Sequence, residues 1–212
     1  MTLACKLVWA TPDIDRNIVY MARVSNPNAK PDDPPGKLVD YLIRNDHWSP
    51  FEMANICIEI ETTRDIARQI LRHRSFHFQE FSQRYAEVQQ EQPIISEARL
   101  QDHKNRQNSI PVEDELLQTY WEVAQQNTWK DAYIRYESAL RQGIAKELAR
   151  KLLPEGLCKT KMHMNGTVRD WYHYLNVRLG AGTQKEHQEV AFEMLKVCRV
   201  VSPLIFNHDD ES

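Results

Sequence analysis

The sequence predicts an α+β fold, on three observations. Residues 53–62 and 158–164 alternate apolar with polar side chains, the period of a half-buried strand. Longer stretches carry apolar residues at helical spacing. Strands and helices follow one another without the regular alternation that builds a doubly wound parallel sheet.

Residues 3–9 form a short apolar run, read as a first strand. Thr11-Pro12-Asp13 then offers a cap, a first-turn proline and an acid for a helix carrying Ile14, Ile18, Val19 and Ala22 to about Arg23. Four prolines make 26–36 a loop, and Leu38, Tyr41, Leu42 and Arg44 support a second helix. In the clearest strand, Ala54, Ile56, Ile58 and Ile60 alternate with Asn55, Cys57, Glu59 and Glu61. Thr62-Thr63 is expected to cap the next helix, whose face is Ile66, Ala67, Ile70 and Leu71. Residues 89–112 are polar, Gln-rich and aperiodic, and are read as a long connection. Residues 113–142 are helical, with Leu116, Leu117, Tyr120, Val123, Ala124, Ile134 and Leu140 as an apolar stripe, room for a kink near Asn127-Thr128, and Gly143 as the stop. A helix over 145–153 ends before Pro154. Cys158, Thr160, Met162 and Met164 mark the second strand, and helices over about 167–179 and 184–200 close the chain. With no internal repeat or Gly/Ser linker, one domain over 1–212 is expected, with about 203–212 as a tail that could be flexible.

The 27 Lys and Arg against 30 Asp and Glu leave a net charge of −3, so no bulk field favours duplex DNA or an anionic membrane. No apolar run approaches the roughly 20 residues of a membrane span, and the first residues lack a secretory pattern. A cytoplasmic protein is expected. The four cysteines are scattered without a C-x-x-C pair, which argues for reduced thiols and against a metal site.

Polar chemistry concentrates in Arg72-His73-Arg74-Ser75-Phe76-His77-Phe78-Gln79-Glu80-Phe81-Ser82-Gln83-Arg84-Tyr85. Guanidinium groups match phosphate oxygens bidentately, and the interleaved aromatics offer faces for flat heterocycles, so the segment reads either as a nucleotide or dinucleotide site or as a solvated interface loop. Arg169 and His173 share a helix face with Arg178 to one side, either a second part of a site or a surface face with Asp170 as an ordinary salt-bridge partner. Arg150 before Pro154, and His47 before Trp48-Ser49-Pro50-Phe51, leave the same choice open.

The whole pattern resembles the flavin-dependent thymidylate synthase family, whose fuller signature is R-H-R-x-x-S-x-N-E-x-S-x-R-Y. Arg72-His73-Arg74, Glu80, Ser82, Arg84 and Tyr85 match it in register. Ala22-Arg23-Val24-Ser25, His47 with Ser49-Pro50-Phe51-Glu52, Gln69, Arg150 before Leu153-Pro154, and Arg169 with Arg178 follow in the family's order, so the resemblance covers nearly the whole chain. The wording of the motif and of residues 102–109 is most similar to the branch carried by chlorella viruses and some phages. The sequence departs from the common pattern at His77 and Gln79, which replace Ser and Asn, and at Thr167, His173 and Gly182, where other members place Asn, Asn and His near the flavin.

The resemblance implies a central, mostly antiparallel sheet flanked by long helices, and a homotetramer whose active sites are shared between subunits, without nucleic-acid or membrane partners. It implies conversion of dUMP to dTMP, with 5,10-methylenetetrahydrofolate as one-carbon donor, NADPH as reductant, and FAD carrying the electrons and the methylene. Arg178 would act on the uracil, with His47 beside the reacting groups. Gln69, Arg72, Glu80, Phe81, Ser82, Gln83, Arg84, Arg150 and Arg178 would hold dUMP. Ser49, Arg72, His73, Arg74, Gln79, Glu80, Arg169 and His173 would hold FAD. None of the cysteines has the setting of an enzyme nucleophile, and Ser82 lacks a defined base, so the protein would work by positioning and electrostatics. A virus-carried enzyme would act in the host cytoplasm. Two other readings remain: a same-fold pyrimidine nucleotide hydroxymethylase, and a module stacking single-stranded nucleic acid on the motif's aromatics.

Overall fold

The computed structural model describes residues 4–25 and 34–207. The loop expectation at 26–33, Leu3 of the first strand and the tail beyond 207 lie outside them.

Four strands form an antiparallel sheet in the order β1 (Ala4–Ala10), β2 (Asn55–Thr63), β6 (Lys159–Thr167), β3 (His77–Glu80). The predicted alternation holds: Ile56, Ile58 and Ile60 of β2 and Thr160, Met162 and Met164 of β6 are buried on one face. Glu59, Glu61, Lys161 and His163 lie on the other, tied by ion pairs among themselves and with Lys6. Against the buried face pack α3 (Arg64–Ile70), α6 (Val168–Arg178) and α7 (Lys185–Val201), and α1 (Ile14–Ala22) and α2 (Pro35–Arg44) join the same core beyond them, giving a core that includes Ile18, Ile66, Trp171, Tyr174, Val190 and Met194. Pro203–Phe206, placed in the tail by the sequence reading, is a short helix, α8, whose Ile205 and Phe206 join this core.

Two expectations are corrected by the fold. The connection over 89–112 contains a hairpin, β4 (Arg99–Gln101) with β5 (Ser109–Pro111), and is fastened to the long helix α4 (Glu115–Arg141). The amides of Gln118 and Gln125 each accept from and donate to one backbone unit, at Ala98 and Ser96, so two side chains act as a partner strand. Second, α4 runs unbroken through Asn127-Thr128. Much of its apolar stripe lies at the surface. Leu116 is 83% and Tyr120 69% exposed, Val123 and Ile134 are also exposed, and the buried side is Gln125, Trp129 and Tyr136 over a second cluster with Val88, Leu153 and Leu157.

Local chemistry also differs from expectation at helix starts. Thr63 stands at the start of α3 but its side chain makes no cap bond, and neither does that of Asp13, which adopts a left-handed backbone before α1. Thr11 Oγ1 instead accepts from Asn55 N of β2 at 2.9 Å. Asp170, expected as a salt-bridge partner, forms a capping box with Thr167 that starts α6. The stretch at 145–153 is one turn of α-helix, α5 (Lys146–Ala149), followed by a 3-10 turn at Arg150–Leu152.

Candidate active site

The R-H-R segment leaves α3 and turns into β3, an edge strand too short to show a period. Its turn is anchored by Phe76, which is buried with its ring edge-on to Trp171 at 4.9 Å. Gly166 on β6 makes room for it: a Cβ there would come within 2.5 Å of the Phe76 ring. This wedge fixes where Arg72, His73 and Arg74 emerge.

His73 meets the end of α6. Arg178 Nε donates to His73 Nε2 at 2.9 Å, joining residues 105 positions apart. Burial, then the charges of Arg178 and Arg72, lower the His73 pKa to about 4, so the ring is neutral at pH 7 with an accepting Nε2. The His73 ring is edge-on to Tyr174, whose hydroxyl lies 2.8 Å from His187 Nε2, and His187 Nδ1 lies 3.3 Å from Gln69 Oε1. Arg178, His73 and Gln69 are thus brought together. Among the described residues, the side chains of Arg72 and Arg74 are exposed and have no hydrogen-bond or ion-pair partner.

A second group surrounds the 3-10 turn at Ser49–Met53. Trp48 packs against His173 at 4.4 Å and Tyr172 at 5.0 Å, and Arg169 pairs with Glu52. His47 donates its backbone N–H to Leu42 and sets its exposed ring against Tyr41. His47, Ser49, Arg169 and His173 therefore share one neighbourhood.

Glu80 closes β3 with both oxygens engaged: Arg64 at 3.3 Å and Thr160 at 3.0 Å on one, Arg68 at 3.2 Å on the other. This spends Glu80 on fixing β3 to α3 and β6. Gln79 and His77 are exposed on β3, opposite His163 and Asn165. Phe81 N–H continues the ladder to Lys161 O, Gln83 is buried and donates to Cys158 Sγ, and Ser82 Oγ accepts from Arg84 N at 3.4 Å. Arg84 reaches Glu147 at 3.4 Å beside a cleft of about 450 Å³ lined by Arg84, Tyr85, Ile144, Lys146 and Glu147, and Arg150 donates to the Glu147 carbonyl at 3.3 Å within its own turn.

Sequence reasoning missed Arg64, Tyr174, Gln184, Glu186 and His187. A signal existed for His187, which lies on the apolar face of α7 at helical spacing from Val190, Ala191 and Met194, where a polar residue needs a partner. All four thiols are raised above their ordinary pKa by burial, Cys5 to about 12, so none is poised as a thiolate. Among the described residues no group of three His, Cys, Asp or Glu could hold a metal, and no helix is long and apolar enough to cross a membrane.

An antiparallel sheet backed by helices thus carries a guanidinium- and imidazole-rich edge, and comparison with known proteins shows the family. Residues 6–204 match the family described as "Thymidylate synthase complementing protein". The Paramecium bursaria Chlorella virus 1 protein named "Probable flavin-dependent thymidylate synthase" is 50% identical over 175 residues, 82% of this chain and 80% of that protein. The Synechocystis protein named "Flavin-dependent thymidylate synthase" is 48% identical over 180 residues, 85% and 82% of the two chains. The chain belongs to the flavin-dependent thymidylate synthase family, a family of methyltransferase enzymes. In fold it is similar to the UMP/dUMP methylase PolB from Streptomyces cacaoi bound with 5-Br UMP, with a TM-score of 0.84 at 24% identity over 97% of this chain and 92% of that one.

Proposed function

We propose that this chain converts dUMP to dTMP with 5,10-methylenetetrahydrofolate as one-carbon donor and NADPH as reductant through FAD. The observation that carries this reading is the Arg178–His73 contact, which joins the family motif to the far end of α6 in one polar site. The donor set fits FAD: the unpartnered Arg72 and Arg74 suit its diphosphate oxygens, and exposed Gln79 with the Trp48–His173 neighbourhood suits a flat heterocycle. Ser49, His73, Glu80 and Arg169 complete the group that would hold it. When bound, FAD supplies the redox chemistry and the one-carbon transfer that no side chain here can perform.

The protein's own part is positioning and charge. Arg178, with Nε spent on His73, keeps both Nη groups for the uracil oxygen where negative charge grows as C5 attacks the one-carbon unit. His47 stands beside the reacting groups. Gln69, Arg72, Phe81, Ser82, Gln83, Arg84 and Arg150 hold the nucleotide, the last two at its phosphate. Ser82, with no base partner among the described residues, binds and does not attack. The active form is a homotetramer with shared sites in the cytoplasm; the exposed apolar face of α4 supports this, since such a surface is costly in water unless covered.

The test is direct. The purified protein should show, or acquire with added FAD, a bound-flavin absorption spectrum, and Arg74→Ala or His73→Ala should weaken uptake. A well-folded preparation with no flavin affinity ends the proposal. Light scattering should return a tetramer, and an active monomer would remove the shared site.

A further inference from the structure

The contacts behind Gln69 form one directional chain, which ends at Tyr174, the residue whose ring packs edge-on against His73. Glu186 sits at its foot, its Oε1 accepting from Arg99 at 2.6 Å and its Oε2 from Gln184 Nε2 at 2.9 Å. A carboxylate in a salt bridge only accepts, so the Gln184 amide has its nitrogen toward Glu186 and its oxygen toward Gln69. That oxygen accepts from Gln69 Nε2 at 2.7 Å, which turns Gln69 Oε1 toward His187 Nδ1. An oxygen there requires a proton on Nδ1. His187 Nε2 is then an acceptor, and the Tyr174 hydroxyl donates to it at 2.8 Å. Every orientation follows from the one carboxylate.

We infer that His187, carrying its proton on Nδ1, is a positioning residue that, together with Gln184 on the amide's other side, holds the Gln69 amide so that its free N–H, and not its carbonyl, faces the nucleotide. His73 does the equivalent for Arg178, taking Nε–H and leaving the Nη donors. Both ends of the column therefore present donors, which suits the carbonyl and phosphate oxygens of a pyrimidine nucleotide. The inference rests on the proposed role of Gln69 and Arg178 as dUMP contacts. His187 is 0% and Tyr174 2% exposed, so neither touches substrate directly, and burial with the nearby Arg178 charge lowers the His187 pKa to about 3, which keeps a second proton off Nε2.

The experiment measures dUMP affinity by titration calorimetry on the flavin-loaded protein. His187→Leu should weaken binding about tenfold, the scale of one lost hydrogen bond, and Gln69→Ala by a similar factor. The double variant should be no weaker than either single one, because both break the same contact. His187→Asn, which can place an N–H near the Nδ1 position, should recover most of the affinity. Independent tenfold losses that multiply in the double variant, or unchanged binding in His187→Leu, would overturn the inference. A tautomer measurement stands apart from substrate and from variant folding: the 15N spectrum of the wild-type protein should show His187 protonated on Nδ1 alone, and protonation on Nε2 alone would overturn the inference. If the wild-type protein fails to bind dUMP while this tautomer is present, the substrate reading falls and the column stands.

Discussion

Arg178 and Arg84 are both proposed to hold the same nucleotide, yet the chain treats them differently. Arg178 bonds to His73, whose ring packs edge-on against the buried Tyr174, and Tyr174, the buried His187 and Gln69 are joined by hydrogen bonds, a partly buried column between α3, α6 and α7. Arg84 leans on Glu147, both about half exposed, at the rim of an open cleft below the end of α4. Buried polar groups must be paired, so the first arrangement is set when the chain folds. An exposed ion pair contributes about 0–1 kcal/mol, so the second exchanges Glu147 for a ligand phosphate at little cost. On the proposed reading the first region suits a charge that changes during reaction, and the second one that does not.

The largest expected effect breaks the comparison at Arg178. Arg178→Ala should lower turnover at saturating dUMP by about 100-fold or more while the protein retains flavin, the loss typical of a preorganised donor. Arg84→Ala and Arg150→Ala should instead raise KM and recover with more nucleotide. Equal losses of turnover in all three would erase the distinction.

Next is the wedge that sets the motif in place. Gly166→Ala should cost about 1–3 kcal/mol in urea unfolding, because the new Cβ would press into the Phe76 ring, which is buried against Trp171 and Tyr174 and would have to shift. Gly182→Ala, with nothing near its Cβ position, is the matched control and should be close to neutral. Equal stability of the two variants would remove Phe76 as the anchor.

Acid should sharpen the same contrast. His187 has a folded pKa of about 3 against an ordinary 6.5, and His73 about 4, so the unfolded chain binds these protons first as pH falls. The stabilising contribution is complete above about 6.5 and is lost toward pH 4 and then 3, with a slope of at most about 1.4 kcal/mol per pH unit for His187. Glu59 and Glu61, held low by Lys6 and Lys159 respectively, add to the loss only once the pH falls into the usual carboxylate range and below it. Unfolding midpoints that stay level between pH 7 and 5 would show that the imidazoles are not held neutral. The smallest effect belongs to Ser82→Ala, which should keep measurable turnover; abolished turnover with normal nucleotide and flavin binding would make Ser82 a nucleophile.

The sheet was legible where strands are long enough to alternate. β2 and β6 carry nine residues each and were visible, whereas β3, with four, and β4 and β5, with three each, show no period. The stripe on α4 was legible as apolar, but periodicity reports that a face is apolar and not what covers it, and here much of it is exposed. The motif residues were legible by resemblance. Their supports were not, since Gln69 and His187 lie 118 positions apart and only the packing of α3 against α7 joins them.

The central claim is tested most directly by the mass of the nucleotide formed when the FAD-loaded protein is given dUMP, 5,10-methylenetetrahydrofolate and NADPH. A product heavier than dUMP by one methyl substitution, formed only when all three are present, is predicted. A hydroxymethyl product, or unchanged dUMP from protein that holds flavin and nucleotide, would contradict it.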